Sequence, residues 1–187
     1  MIAKYLGTGL AAGVMLAMGG IASAEPFSVT STSFKDGQVL DKKHAGAIPT
    51  NPNCVGQNVS PQLKWTNVPA GTKSFALFMI DPEGLAPTGV AHWIAYGIPA
   101  DVTEFKEGEV GVASNKYVGG KSTMGVGNYT GPCTPAGIGF HHYTFLLMAT
   151  DLEPAALQPG MTRDEATAAL KGHVKGSTGI VGLFGRP

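Results

Sequence analysis

Residues 131–151 read GPCTPAGIGFHHYTFLLMATD: a turn-rich run with a cysteine, two prolines and three glycines, followed by two adjacent histidines and an apolar stretch. The change from Gly/Pro punctuation to aromatic and aliphatic residues predicts a loop that becomes a strand over 141–150. Successive side chains of a strand point to opposite faces. His141, Tyr143, Phe145 and Leu147 therefore share one face, and His142, Thr144, Leu146 and Met148 the other. At most one of the two histidines is expected to enter a given pocket.

Similar signals recur on either side. SFALFMIDP, residues 74–82, is too short for a buried helix and is closed by Asp81-Pro82, so it reads as an interior strand of a sandwich. AHWIAYGIP, residues 91–99, is a second strand stopped by Pro99. Leu63 and Trp65 fall on one face of a short strand, EPFSVTSTSF at 25–34 is a first strand, and STGIVGLF at 177–184 a last one. Residues 41–62 read as a long loop, and 101–130 as a glycine-rich irregular excursion with one short strand near 110–113. Thr162 and Glu165 have capping-box spacing, and Ala166, Ala169 and Leu170 then form an apolar stripe ended by Gly172, which predicts a helix. The sum is a mainly β domain with about one helix and no βαβ rhythm.

The N-terminus carries Lys4, an apolar Gly/Ala/Leu-rich stretch and Ala22-Ser23-Ala24. This predicts a signal peptide over 1–24, leaving a single domain over 25–187 in the periplasm or secreted. The alternative is a membrane anchor, but the stretch is Gly-rich and lacks a basic stop-transfer cluster. Of 13 basic residues, removal of Lys4 leaves 12 against 13 acidic ones. That balance argues against a nucleic-acid partner and against nonspecific attraction to an anionic membrane. Cys54 and Cys133, both in loop sequence of an exported chain, favour one disulfide; two separate thiols or a reactive cysteine are the alternatives.

Four polar features stand at strand ends or in glycine-rich loops: Asp81-Pro82, His92-Trp93, Gly131-Pro132 and His141-His142-Tyr143. If they met, they would form a small pocket offering imidazole and backbone N–H groups to an anion. Asp81, His92 and His141 could supply three metal ligands, but there is no HExxH; there is likewise no GxSxG nucleophile, and GVGNY at 125–129 is only a fragment of a phosphate loop. No cofactor, metal or catalytic constellation is expected.

Taken in order, CVGQNVSPQLKW, VPAGTKSFAL, DPEGLAPTGVAHWIAYGIP and YTGPCTPAGIGFHHYTFLL resemble the phosphatidylethanolamine-binding protein (PEBP) family, in its bacterial Raf kinase inhibitor-like branch. The resemblance covers nearly all of residues 25–187. It implies a Greek-key β-sandwich of antiparallel sheets with peripheral helices. It also implies an anion pocket lined by Asp81, His92, Gly131, Pro132 and His141, with Tyr143 beside it. His92 and His141 would donate to the anion, amides around Gly131 would complete the cradle, and Asp81 would orient a histidine or meet a cationic head group. His142 stands where the family has arginine, Glu83 where it has a second aspartate, Thr134 where a second proline is common, and Phe184 near an aromatic hydroxyl of some members. The implied function is noncatalytic binding of a phosphate-like anion or phospholipid head group. The alternatives are a protease or other protein inhibitor acting through surface loops such as 101–130, and, behind it, a weak hydrolase.

Overall fold

The apolar run at 74–81 is uninterrupted because it lies at the centre of the molecule with both faces covered. The computed structural model describes residues 25–186, so the expected signal peptide at 1–24 lies outside the described residues. The strands are β1 (Ser28–Thr30), β2 (Gln38–Val39), β3 (Leu63–Thr66), β4 (Ser74–Asp81), β5 (Val90–Pro99), β6 (Glu104–Phe105), β7 (Val118–Gly119), β8 (Phe140–Thr150) and β9 (Val174–Gly185). Helix α1 (Arg163–Leu170) joins β8 to β9, and a 3-10 turn spans Lys42–His44. β1, β3 and β6 form a small sheet, and the larger sheet runs β2-β9-β8-β4-β5-β7.

Phe75, Leu77 and Met79 of β4 face the small sheet. There they share a core with Leu63 and Trp65 of β3, Phe105 of β6, and Tyr143, Phe145 and Leu147 of β8. Ala76 and Phe78 face the other way, against Ile94 and Tyr96 of β5 and Ala166 and Leu170 of α1. Two-sided burial is what removes the polar alternation from β4 and β5. The mainly β sandwich with a helix at its periphery matches the expected fold class, and the faces of β3 and β8 follow the expected parity. The pairing β2–β9 is parallel, so the larger sheet is mixed rather than purely antiparallel.

Several expected bounds change. The strand expected near 110–113 is absent: Val110 lies in a turn, buried, with its N–H on Ser60 Oγ and its carbonyl taking the Tyr129 N–H. The excursion instead contributes the two-residue strands β6 and β7, too short to show a period. β1 is only three residues long because the chain leaves the sheet to bind Gln62, whose side chain accepts from the Thr32 N–H. β9 is longer than expected, reaching from Val174 to Gly185 along the whole of β8. Its glycines hide this in sequence, but they suit close packing; a Cβ on Gly182 would collide with Leu40.

Candidate functional site

β4 is antiparallel to both of its neighbours, β5 and β8. The C-terminal end of β4 therefore lies beside the N-terminal ends of the other two, and Asp81, His92 and His141 converge although distant in sequence. Asp81 Oδ1 accepts the N–H groups of Glu83 and Gly84, both at 2.9 Å, which turns the chain sharply out of β4. Its Oδ2 lies 2.8 Å from His141 Nδ1. A carboxylate only accepts, so His141 Nδ1 carries the proton and Nε2 is the free ring nitrogen.

His92 reaches the same place through a β-bulge. Met79 pairs with Trp93 and Ile80 with Ala91, leaving His92 as the extra residue on β5. The bulge lets neighbouring His92 and Trp93 both turn into the sandwich, His92 edge-on to Tyr143 at 5.1 Å and Trp93 into the core. His92 Nδ1 donates to the Thr130 carbonyl at 3.0 Å, and Nε2 is 4.0 Å from Asp81 Oδ2. Burial pushes the His92 pKa below its ordinary value, outweighing the Thr130 carbonyl and the Asp81 charge that favour the imidazolium. The Tyr143 hydroxyl is held by Thr134 Oγ1 at 2.7 Å, and burial pushes its pKa well up.

His92, His141, Tyr143, Thr134 and Glu83 line part of a cavity of about 390 Å³, while Asp81, expected in the pocket, lies behind His141 and outside the lining. Gly131 and Pro132 do not line it. The Gly131 N–H donates to Asn58 Oδ1 at 2.9 Å, so that amide is turned away from the cavity, which the neighbouring Cys133 and Thr134 line instead. Glycine at 131 answers a packing need instead: a Cβ there would collide with the His44 carbonyl. The Pro132 carbonyl accepts from Gly46, and Cys133 is joined to Cys54, which fixes this loop against residues 44–58. Phe184 pairs with His141 across β8–β9 and brings no hydroxyl.

Sequence reasoning missed the way two departures from the family pattern meet. Glu83 at the mouth accepts from His142 Nδ1 at 2.6 Å and from the His142 N–H at 3.1 Å. Burial alone would raise the Glu83 carboxyl, but these donors lower it. A parity argument separates His142 from His141 correctly, yet it could not show that His142 touches the pocket wall through Glu83. Both residues were visible as departures; only the β4–β5 turn brings them together. Among the described residues, no lysine or arginine lines the cavity. With both imidazoles neutral, the free Nε2 atoms are acceptors, so the donors left to an oxyanion are neutral ones such as the Asn51 amide and the Thr123 hydroxyl, whereas an ammonium group can donate to either Nε2. Asp81, Glu83 and His141 also bring one potential metal ligand each within 4.8 Å of one another. Asp81 and His141 are hydrogen-bonded to each other, and the Glu83 carboxylate accepts from His142.

A family model described as phosphatidylethanolamine-binding protein matches residues 30–185. A UPF0098 protein of Aquifex aeolicus is 36% identical over 160 residues, 84% of this chain and 88% of that protein. The putative lipoprotein LppC of Mycobacterium tuberculosis is 35% identical over 164 residues, 87% of this chain and 74% of that protein. Among solved structures, Escherichia coli YbcL, described as a new member of the mammalian PEBP family, matches with a TM-score of 0.77 and 30% identity over 86% of this chain and 99% of that one.

Proposed function

The chain belongs to the phosphatidylethanolamine-binding protein family, and from that premise we propose that it is an exported, noncatalytic binding protein whose cavity takes a small phosphorylated head group. The observation that carries this reading is the Asp81–His141 hydrogen bond at the cavity wall. A carboxylate behind an imidazole fixes its tautomer and orientation, so His141 keeps Nε2 as the ring nitrogen left for a ligand. His92, buried and turned in by the bulge, adds a second ring nitrogen. The Glu83 carboxylate at the mouth suits a cationic part of the same head group better than a second phosphate. Among the described residues the lining offers an oxyanion neutral donors, the Asn51 amide and the Thr123 hydroxyl, and no lysine or arginine. Export is supported by the Cys54–Cys133 disulfide, a feature of oxidising compartments.

Calorimetric titration of phosphoethanolamine tests the reading. Binding should be lost in a His92→Ala plus His141→Ala protein. Unchanged binding in the double variant would sink the assignment.

A further inference from the structure

A second hollow, a groove of about 300 Å³, adjoins the cavity and shares Leu85 and Thr123 with it. Its walls come from the β4–β5 loop, from residues 121–123 and from the start of α1. Hydrogen bonds tie these segments together. The Lys121 N–H donates to the Met161 carbonyl at 2.8 Å, Thr123 Oγ1 accepts the Ala91 N–H at 2.9 Å, and Arg163 Nη1 donates to the Thr88 carbonyl at 2.9 Å. The groove is therefore a built part of the fold.

Its chemistry is the opposite of the cavity's. The cavity wall carries Glu83, whereas the groove carries Lys121 and Arg163 against one carboxylate, Asp164. Asp164 Oδ1 lies 3.2 Å from Arg163 Nε, which leaves the Nη2 end of the guanidinium to a ligand. Lys43, Lys73, Lys116 and Lys175 are each paired with a carboxylate, but the exposed Lys121 ammonium has no such partner among the described residues. Glu165, close by in α1, spends Oε2 on the Thr162 N–H and hydroxyl, both at 2.8 Å. Of the four hydroxyls in the lining, Thr88 donates to the Leu85 carbonyl and Thr162 to Glu165. Ser122 and Thr123 each accept one N–H, from Val126 and Ala91, and their own protons meet no acceptor among the described residues. Ser122 is only 4% exposed, and a buried hydroxyl proton calls for an acceptor. The first turn of α1 is closed by its capping box, so these side chains rather than helix amides define the site.

We propose that the groove is a second binding site, for an oxyanion of the phosphate type, held by Lys121, Arg163, Ser122 and Thr123. It goes beyond the head-group reading of the cavity and does not rest on it, since none of its four donors is a histidine. An ammonium and a guanidinium give charge-assisted hydrogen bonds, and two hydroxyls with unspent protons serve the remaining oxygens. That set matches the several acceptors of a phosphate, and the planar end of Arg163 suits two of them at once. A cationic ligand would meet two like charges in the same walls.

The test is calorimetric titration of inorganic phosphate into the domain from Glu25 onward, which contains both hydrophobic clusters and both cysteines. Lys121→Gln and Arg163→Gln should each weaken binding about tenfold or more, the scale of one hydrogen bond to a charged group. Lys121→Gln should melt like the parent, so its loss of affinity is not a loss of fold. Lys171→Gln, the same charge removed at the other end of α1, should bind phosphate like the parent. The affinity of the parent should fall as salt is raised. Glycerophosphoglycerol, the diester of a lipid head group, separates the sources: diester binding that is lost in Lys121→Gln assigns a head group, and binding of phosphate alone assigns a free anion, each in support of the site. Equal phosphate affinity of the parent, Lys121→Gln and Arg163→Gln would overturn the proposal, as would a parent that binds no phosphate. Phosphate binding that survives both variants but is lost in His92→Ala plus His141→Ala puts the ion in the cavity, so the groove proposal falls and the head-group reading stands. Phosphoethanolamine binding unchanged in that double variant, with phosphate binding lost in Lys121→Gln, sinks the head-group reading and leaves the groove.

Discussion

Asp81 is an unusual carboxylate because its two oxygens do different work. Oδ1 terminates β4 by accepting two loop N–H groups, and Oδ2 orients His141. Asp81→Asn separates the roles. The amide oxygen can still accept the loop N–H groups, but the charge behind His141 is gone, so phosphoethanolamine affinity should fall about 10–100-fold with little change in the melting curve. His92 gives a second prediction at this scale. Its pKa is lowered in the folded protein from the ordinary 6.5 by burial. An unfolded imidazole takes up its proton near pH 6.5, so the stability tied to a buried neutral His92 is fully present above that value and lost as pH falls through the folded pKa. Urea denaturation between pH 7.5 and 5 should show a steeper loss of stability in the parent than in His92→Gln. At the residue scale the sequence pointed to Asp81, His92, His141 and Tyr143, which do come together. It also pointed to the Gly131 amide, which is turned toward Asn58. Residue identity marks a glycine as special but does not say whether a ligand or a neighbouring carbonyl demands it.

Among elements, those with a strong internal pattern were legible. α1 begins where its capping box predicts: Thr162 Oγ1 accepts from the Glu165 N–H and the Glu165 carboxylate accepts from the Thr162 N–H. Thr162→Ala should cost about 1 kcal/mol in chemical denaturation. β4 and β8 were legible from apolar length and alternation. β2, β6 and β7, each two residues long, were not, because such strands exist only by pairing with a partner distant in sequence. The bulge at His92 belongs to the same class. Plain alternation puts His92 and Trp93 on opposite faces, and only the register against β4 shows that both turn inward.

The whole molecule depends on a long covalent closure. Cys54 and Cys133 are 79 residues apart, and closing so large a loop in the unfolded chain is worth about 4 kcal/mol on chain entropy. Replacing both cysteines by serine should lower stability by roughly 2–4 kcal/mol in urea. It should also weaken phosphoethanolamine binding, since Cys133 and Thr134 line the cavity. Gly131→Ala should be damaging without touching the ligand, because its methyl would meet the His44 carbonyl where residues 44–46 pack against the disulfide loop. Reduced melting temperature is the measurement for that variant.

By itself the sequence determined the strands that carry the core, the capped helix, the mainly β class and, through its motif order, the family resemblance. These follow from local propensity and from side-chain periodicity, which the chain carries wherever an element is long enough to repeat. Tertiary structure alone decided that β4 lies between β5 and β8, so that three distant motifs share one end of a sheet. It also decided that a bulge turns His92 inward, that Glu83 and His142 meet, and that Gly131 serves packing. Each of these depends on strand order and register, which are set by long-range pairing and by close packing between segments distant in sequence.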